Sequence, residues 1–175
     1  MLKGLGKKGV SDIIATVMLI ALVMVVGAIV WVVVNNFVKG ETESTKSCFG
    51  LFEKVNLENR YTCYNSSSKE LQFSLSIEDV DVDEVVVGVS GAGTGVSFKI
   101  KKEASNVTNV VMYLSRDTMV KLPPQNGGLT YLFNITRAGF TGAPDSIQIS
   151  PVVKGSQCEV SDSLSQIDDC AALAS

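Results

Sequence analysis

The chain has 175 residues, a formal net charge of -3 and 46% hydrophobic residues, enough for one domain with a real core beside an apolar segment. It contains no histidine, which removes the commonest general base, the usual partner in Ser or Cys triads and the usual zinc nitrogen ligand. The acidic balance, with no basic patch interleaved with aromatics, argues against nucleic acid or any other polyanion as partner.

The first nine residues, MLKGLGKKG, carry Lys3, Lys7 and Lys8, and the apolar run begins at Ile13. From Ile13 to Val34 no side chain is charged and Thr16 alone is polar. As a helix this run is long enough to cross the hydrocarbon core of a bilayer. A secretory signal peptide has a shorter apolar core, with its small-residue cleavage site after it. Here the basic-then-small junction, Lys7-Lys8-Gly9, comes before the run, so processing there leaves the helix on the mature protein. The lysine bias places the N-terminus in the cytoplasm and the rest of the chain outside. Trp31, toward the far end, suits an interfacial anchor, and Asn35 and Asn36 mark emergence from lipid. Ala21 and Ala28 fall on one helix face with Gly27 beside them. Such small residues either let neighbouring helices approach closely or simply face lipid.

Residues 41–47, ETESTKS, read as a polar junction between the helix and an exported domain. Beyond it the pattern becomes strand-like. Cys48–Leu57 alternates loosely, and Leu71, Phe73, Leu75 and Ile77 recur with period two. Val85–Val89, Val96–Ile100, Asn109–Ser115, Leu129–Ile135 and Ile147–Val153 continue the series. Turn-formers lie between them: Asn65 to Ser68, Gly91 to Gly95, Pro123 to Gly128, and Gly139 with Gly142 to Pro144. The predicted fold class is α+β: a long N-terminal hydrophobic helix followed by an antiparallel β-sandwich head. The closing stretch is expected to hold a helical turn around Ser163–Ile167. The domain reading is a basic leader at 1–9, a helix at 10–40 and a head at 41–175.

All four cysteines, Cys48, Cys63, Cys158 and Cys170, follow the apolar run. An even count in an exported domain predicts two disulfides, with three connectivities open; pairing of sequence neighbours, Cys48 with Cys63 and Cys158 with Cys170, is the simplest. Zinc is the rival reading, but neither pair has CxxC spacing.

Lys7-Lys8-Gly9-Val10-Ser11-Asp12, followed at once by IIATVMLIALVMVVGAIVW, resembles the N-terminus of archaeal type IV pilin-like proteins, the superfamily that includes archaellins. The resemblance covers residues 7–38 and is architectural beyond them. It implies a class III signal peptide cut between Gly9 and Val10 by a prepilin peptidase, with Lys7 and Lys8 as the basic determinant and Val10 as the new N-terminus. It also implies storage in membrane lipid, then assembly as a homo-oligomer in a helical filament through helix–helix contacts. A heterologous, non-closing interface yields such a polymer. Asp12 is the one charge close to the start of the apolar segment, where an isolated carboxylate is costly. The Val10 amine, freed by cleavage, would offset that cost and help set register. Bacterial relatives place the acid slightly deeper, as glutamate. Asp12 also suits a plain helix cap at the cytosolic surface, with Ser11 as the alternative.

Asn65, Asn106 and Asn134 each begin an N-x-[ST] sequon, and the resemblance to glycosylated surface filaments favours Asn65 and Asn106. Glu78–Glu84 carries alternating carboxylates. Its spacing fails the EF-hand pattern and reads as a solvated strand edge rather than a calcium site. Gly91–Gly95 lacks the frame and lysine of a phosphate loop and reads as a flexible turn. Ser66-x-x-Lys69 has no supporting motifs. The expectation is a non-enzymatic structural subunit without metal or cofactor, anchored by a single pass and displayed on the surface. Disulfides and sequons fit adhesion slightly better than motility. A monomeric membrane-anchored binding module is the alternative.

Overall fold

The computed structural model describes residues 8–173, with backbone alone for 8–12, 39–47 and 172–173. The chain divides into two compact units, Met1–Glu43 and Ser44–Ser175.

A single helix, α1, runs from Lys8 to Cys48. Its Val, Ile, Leu, Met and Ala content offers no polar competitor to the backbone, and a helix satisfies each N–H and C=O within itself. The hydroxyl of Thr16 is also satisfied internally, donating to the Ile13 carbonyl at 2.9 Å. Residues 41–47 are helical too, and the boundary between the two units falls within them. No proline interrupts them, Glu41, Glu43 and Lys46 are good helix formers, and extending an existing helix costs less than starting one. The loose alternation expected from Cys48 therefore shrinks to a strand at Val55–Leu57.

The head is built from antiparallel sheets. Sheet A contains β1 (Val55–Leu57), β2 (Cys63–Asn65), β3 (Glu70–Ile77), β7 (Val110–Met112) and β9 (Gly127–Asn134). Its order is β1-β3-β9-β7, with β2 also on β3. Sheet B contains β4 (Glu84–Gly91), β5 (Thr94–Lys101), β10 (Ser146–Val153), β11 (Ser156–Gln157) and β12 (Asp162–Ser165). Its order is β11-β10-β4-β5, with β12 also on β10. A ribbon of β6 (Ser105–Asn106) and β8 (Met119–Val120) and a terminal helix α2 (Cys170–Leu173) complete the head.

The period-two residues of β3 all point inward: Leu71, Phe73, Leu75 and Ile77 are buried. Val85, Val87 and Val89 of β4 and Ile147 and Ile149 of β10 join them in one core. Burying such a side chain contributes about 1.5–3 kcal/mol. The sheets meet through aromatic rings: Phe73 of sheet A lies 6.1 Å from Phe98 of sheet B, and Phe98 lies 5.0 Å from Phe133. Tyr131 stacks on Phe73 at 5.2 Å and donates its hydroxyl to the Lys121 carbonyl at 2.7 Å. Burial raises the pKa of that phenol.

Several loops differ from the expectation. Ser163–Ile167 is not a helical turn, because Asp162–Ser165 pairs with Ser146–Ile149 at the edge of β10. The acidic run Glu78–Asp83 is the crossover between the sheets rather than a strand edge, with Val82 buried beneath it. Lys54 pairs with Glu78, Lys102 with Asp81, and the Lys154 N–H donates to Asp83 at 2.6 Å. Hydrogen bonds to Glu78 and Asp81 raise the pKa of Lys54 and Lys102 respectively. Gly91–Gly95, by contrast, holds the turn expected of it, as a tight hairpin: Ala92 and Gly93 take φ of 50° and 77°, as a two-residue turn of this hand requires.

Candidate anchoring and assembly surface

Within α1, the segment Ile13–Val38 spans 26 residues and is long and apolar enough to cross a membrane. Every side chain in it is exposed, with Trp31 at 71% and Met24 at 72%. The apolar character runs all the way round the helix, so it has no polar face to turn toward water. Ala21 and Ala28 lie on one face by their spacing, and a Cβ added at Gly27 would meet nothing within 4 Å.

The processing residues sit at the margin of what is described. Lys7 lies outside the described residues. Lys8, Gly9 and Val10 belong to the first turn of α1, and Asp12 follows within the same helix; the side chains of all four lie outside the description.

All four cysteines form disulfides, but not between sequence neighbours. Cys48 bonds Cys158 and Cys63 bonds Cys170, with Cα separations of 5.4 and 4.9 Å. The physical reason is topological. Residues 158–170 return along β10 to the start of the head, where β1 and β2 already lie, so the two ends of the head meet and the neighbours do not. The Asp168 backbone carbonyl accepts the Tyr64 N–H at 2.8 Å in the same place. Asp169 accepts the Ala171 N–H at 2.9 Å, and this bond, followed by one from Ser66, lowers its pKa. Around Cys48–Cys158 the exposed rings of Phe49 and Phe52, with Val160, border a cavity of about 440 Å³. Sequence reading missed this cluster because its halves are a hundred residues apart in the chain and meet through the disulfide.

The sequon asparagines lie in three settings. Asn65 is exposed at the end of β2, and its side chain accepts N–H groups of Ser67 and Ser68. Asn106 is exposed at the end of β6. Asn134 is half-buried at the end of β9, and its side-chain oxygen accepts the Arg137 N–H at 2.9 Å. Among the described residues no group of His, Cys, Asp and Glu side chains is arranged to hold a metal ion.

Comparison with protein-family models, with curated proteins and with solved structures finds no match to this chain. The architecture is an apolar N-terminal helix followed by a disulfide-linked head of antiparallel sheets.

Proposed function

We propose that this chain is a structural subunit of an archaeal type IV pilus-like cell-surface filament. One observation carries the reading. Ile13–Val38 lies in a single helix that is apolar on every side and long enough to cross a membrane. So large an apolar surface needs a covering, since soluble monomers rarely expose more than about a few hundred Å² in one patch. Lipid supplies the covering while the subunit is stored in the membrane. After a prepilin peptidase cuts between Gly9 and Val10, other copies of the helix supply it in a bundle. The faces of Ala21, Gly27 and Ala28 set the approach of neighbouring helices. Asp12 pairs with the new amine of Val10. The lysines of the leader keep the N-terminus cytoplasmic until export, and the head, with its sequons at Asn65, Asn106 and Asn134, is displayed outside.

The test is mass-spectrometric N-terminal sequencing of the protein from membranes and from sheared surface material of the native cell. A start at Val10 in the sheared fraction supports processing and export into a filament. An intact leader found in membranes alone would overturn the proposal in favour of a monomeric anchored binding module.

A further inference from the structure

The outer face of sheet A is partly roofed. A 3-10 turn at Asn59–Tyr61 lies over it. The Glu58 N–H donates to the Ser74 carbonyl at 2.9 Å, Gln72 Nε2 donates to the Tyr61 carbonyl at 3.3 Å, and Thr62 Oγ1 donates to the Glu58 carbonyl at 2.9 Å. Those bonds hold the turn in place without the help of a ligand. Between the turn and the start of β9 lies a depression of about 650 Å³. Its floor is the set of side chains that alternate away from the core, Ser74 and Ser76 on β3 and Thr130 on β9. Gly128 stands opposite Ser76 and adds no side chain, which keeps the depression open. Glu58, Tyr61 and Asn126 form its walls, with Tyr61 57% exposed.

The hydrogen-bonding inventory of this surface is unsaturated. Thr130 Oγ1 donates to Ser74 Oγ at 3.2 Å, and Ser74 Oγ donates to the Leu129 carbonyl at 3.3 Å, so the Thr130 oxygen keeps lone pairs to accept. The side chains of Ser76, Asn126 and Glu58 make no hydrogen bond to the described residues. Hydroxyl, amide and carboxylate groups with free hydrogen-bonding capacity thus line the depression beside one exposed aromatic ring. The carboxylate of Glu58 at its rim disfavours an anionic ligand, Glu78 being paired with Lys54, and the hydroxyls of the floor favour a ligand that forms hydrogen bonds over a purely apolar one. A neutral ligand rich in hydroxyls meets both conditions. Its O–H groups donate to the carboxylate of Glu58 in charge-assisted bonds and exchange with Ser76, Thr130 and Asn126, while its C–H face lies on Tyr61.

We infer that the trough on sheet A is a binding site for neutral carbohydrate, with Tyr61 as the stacking platform and Glu58, Ser76, Asn126 and Thr130 as hydrogen-bonding partners. The site is on the head alone and does not depend on polymerisation, so it stands or falls separately from the filament proposal.

The experiment uses the full chain, expressed without glycosylation and held in a detergent that has no sugar head group. The probes are maltotriose, mannotriose, lactose and tri-N-acetylchitotriose, read by saturation-transfer NMR and then by titration calorimetry. Saturation transfer to at least one probe is expected. Its affinity should fall at least about tenfold in Tyr61→Ala and in Ser76→Lys, a change of one power of ten in Kd. Leu114→Ser, at an exposed position beyond β7, should leave it unchanged. Circular dichroism of each variant reports folding, and Tyr61 and Ser76 lie outside the core. Absence of transfer to every probe overturns the inference, as does affinity that survives both trough substitutions or is lost equally in Leu114→Ser.

Discussion

Cys48, the last residue of α1, is joined by a disulfide to Cys158, 110 residues further on. The second bridge, Cys63–Cys170, spans 107 residues. Both therefore connect the beginning of the head to its end and close nearly the whole head into a loop. In the chain-entropy account, closing a loop of that length removes about 4.7 kcal/mol of freedom from the unfolded state. Replacing Cys48 and Cys158 together by serine should destabilise the head by about 2–5 kcal/mol, read from the denaturant midpoint against unmodified protein. An unchanged midpoint would refute the stabilising role. Peptide mapping without reduction should recover the 48–158 and 63–170 linkages, and a 48–63 linkage would contradict the fold.

Gly91 and Gly95 flank the same hairpin but answer differently to a methyl group. A Cβ on Gly91 would lie 2.7 Å from the Pro144 Cα, 2.8 Å from the Asp145 nitrogen and 2.9 Å from the Ala143 carbonyl oxygen. All three are backbone atoms, so the clash cannot be relieved by a rotamer change. Gly91→Ala should cost about 1–3 kcal/mol, in line with other overpacking substitutions. A Cβ on Gly95 meets nothing within 4 Å, and Gly95→Ala should be neutral or stabilise by about 0.4–1 kcal/mol through the unfolded state. Equal effects of the two substitutions on thermal unfolding would show that the 143–145 loop is not where the structure puts it.

The buried phenol of Tyr131 ties stability to alkaline pH. Burial raises its pKa above the ordinary value of 10.0, so the unfolded chain ionises first as pH climbs. Its contribution is complete below pH 10 and is lost as pH rises toward the elevated folded value. Tyr131→Phe removes the titration together with the bond to Lys121, and should cost about 1–3 kcal/mol near neutrality because the carbonyl loses its partner. The advantage of the native protein over this variant should then shrink as pH rises above 10. A constant difference between pH 8 and 11 would mean that the hydroxyl is not buried in solution.

The parts of this architecture that sequence reading reaches are those in which one physical pattern repeats long enough to be seen. Ile13–Val38 is uniform, and β3 alternates over eight residues with one face wholly buried. Short elements escape: β6, β8 and β11 have two residues each, and pairing across the chain rather than local preference makes them strands. β12 is the sharpest case, since DSLS carries little strand preference and is extended because the edge of β10 needs a partner. The trough on sheet A is likewise invisible in the sequence. Tyr61, Ser76 and Thr130 come from separate segments and share a surface through the pairing of β3 with β9 and the turn that folds over them. Disulfide connectivity follows the same logic, being a property of topology and not of spacing.

The filament proposal makes its strongest demand on Asp12. The residue stands just before the apolar segment Ile13–Val38, where an isolated carboxylate is costly, and in the mature chain that the proposal describes the new amine of Val10 would be the cation nearest to it in sequence. If that pairing sets register between copies, Asp12→Ala leaves cleavage largely intact but lowers filament yield, because the peptidase reads the leader and not the assembled bundle. Gly9→Val acts one step earlier, blocking processing and trapping the full-length protein in the membrane. Quantifying sheared filaments and mature N-termini for both variants separates the steps. Normal filament yield from Asp12→Ala would remove that residue's assembly role, whereas mature chains starting at Val10 in the Gly9→Val strain would overturn the assigned cut itself.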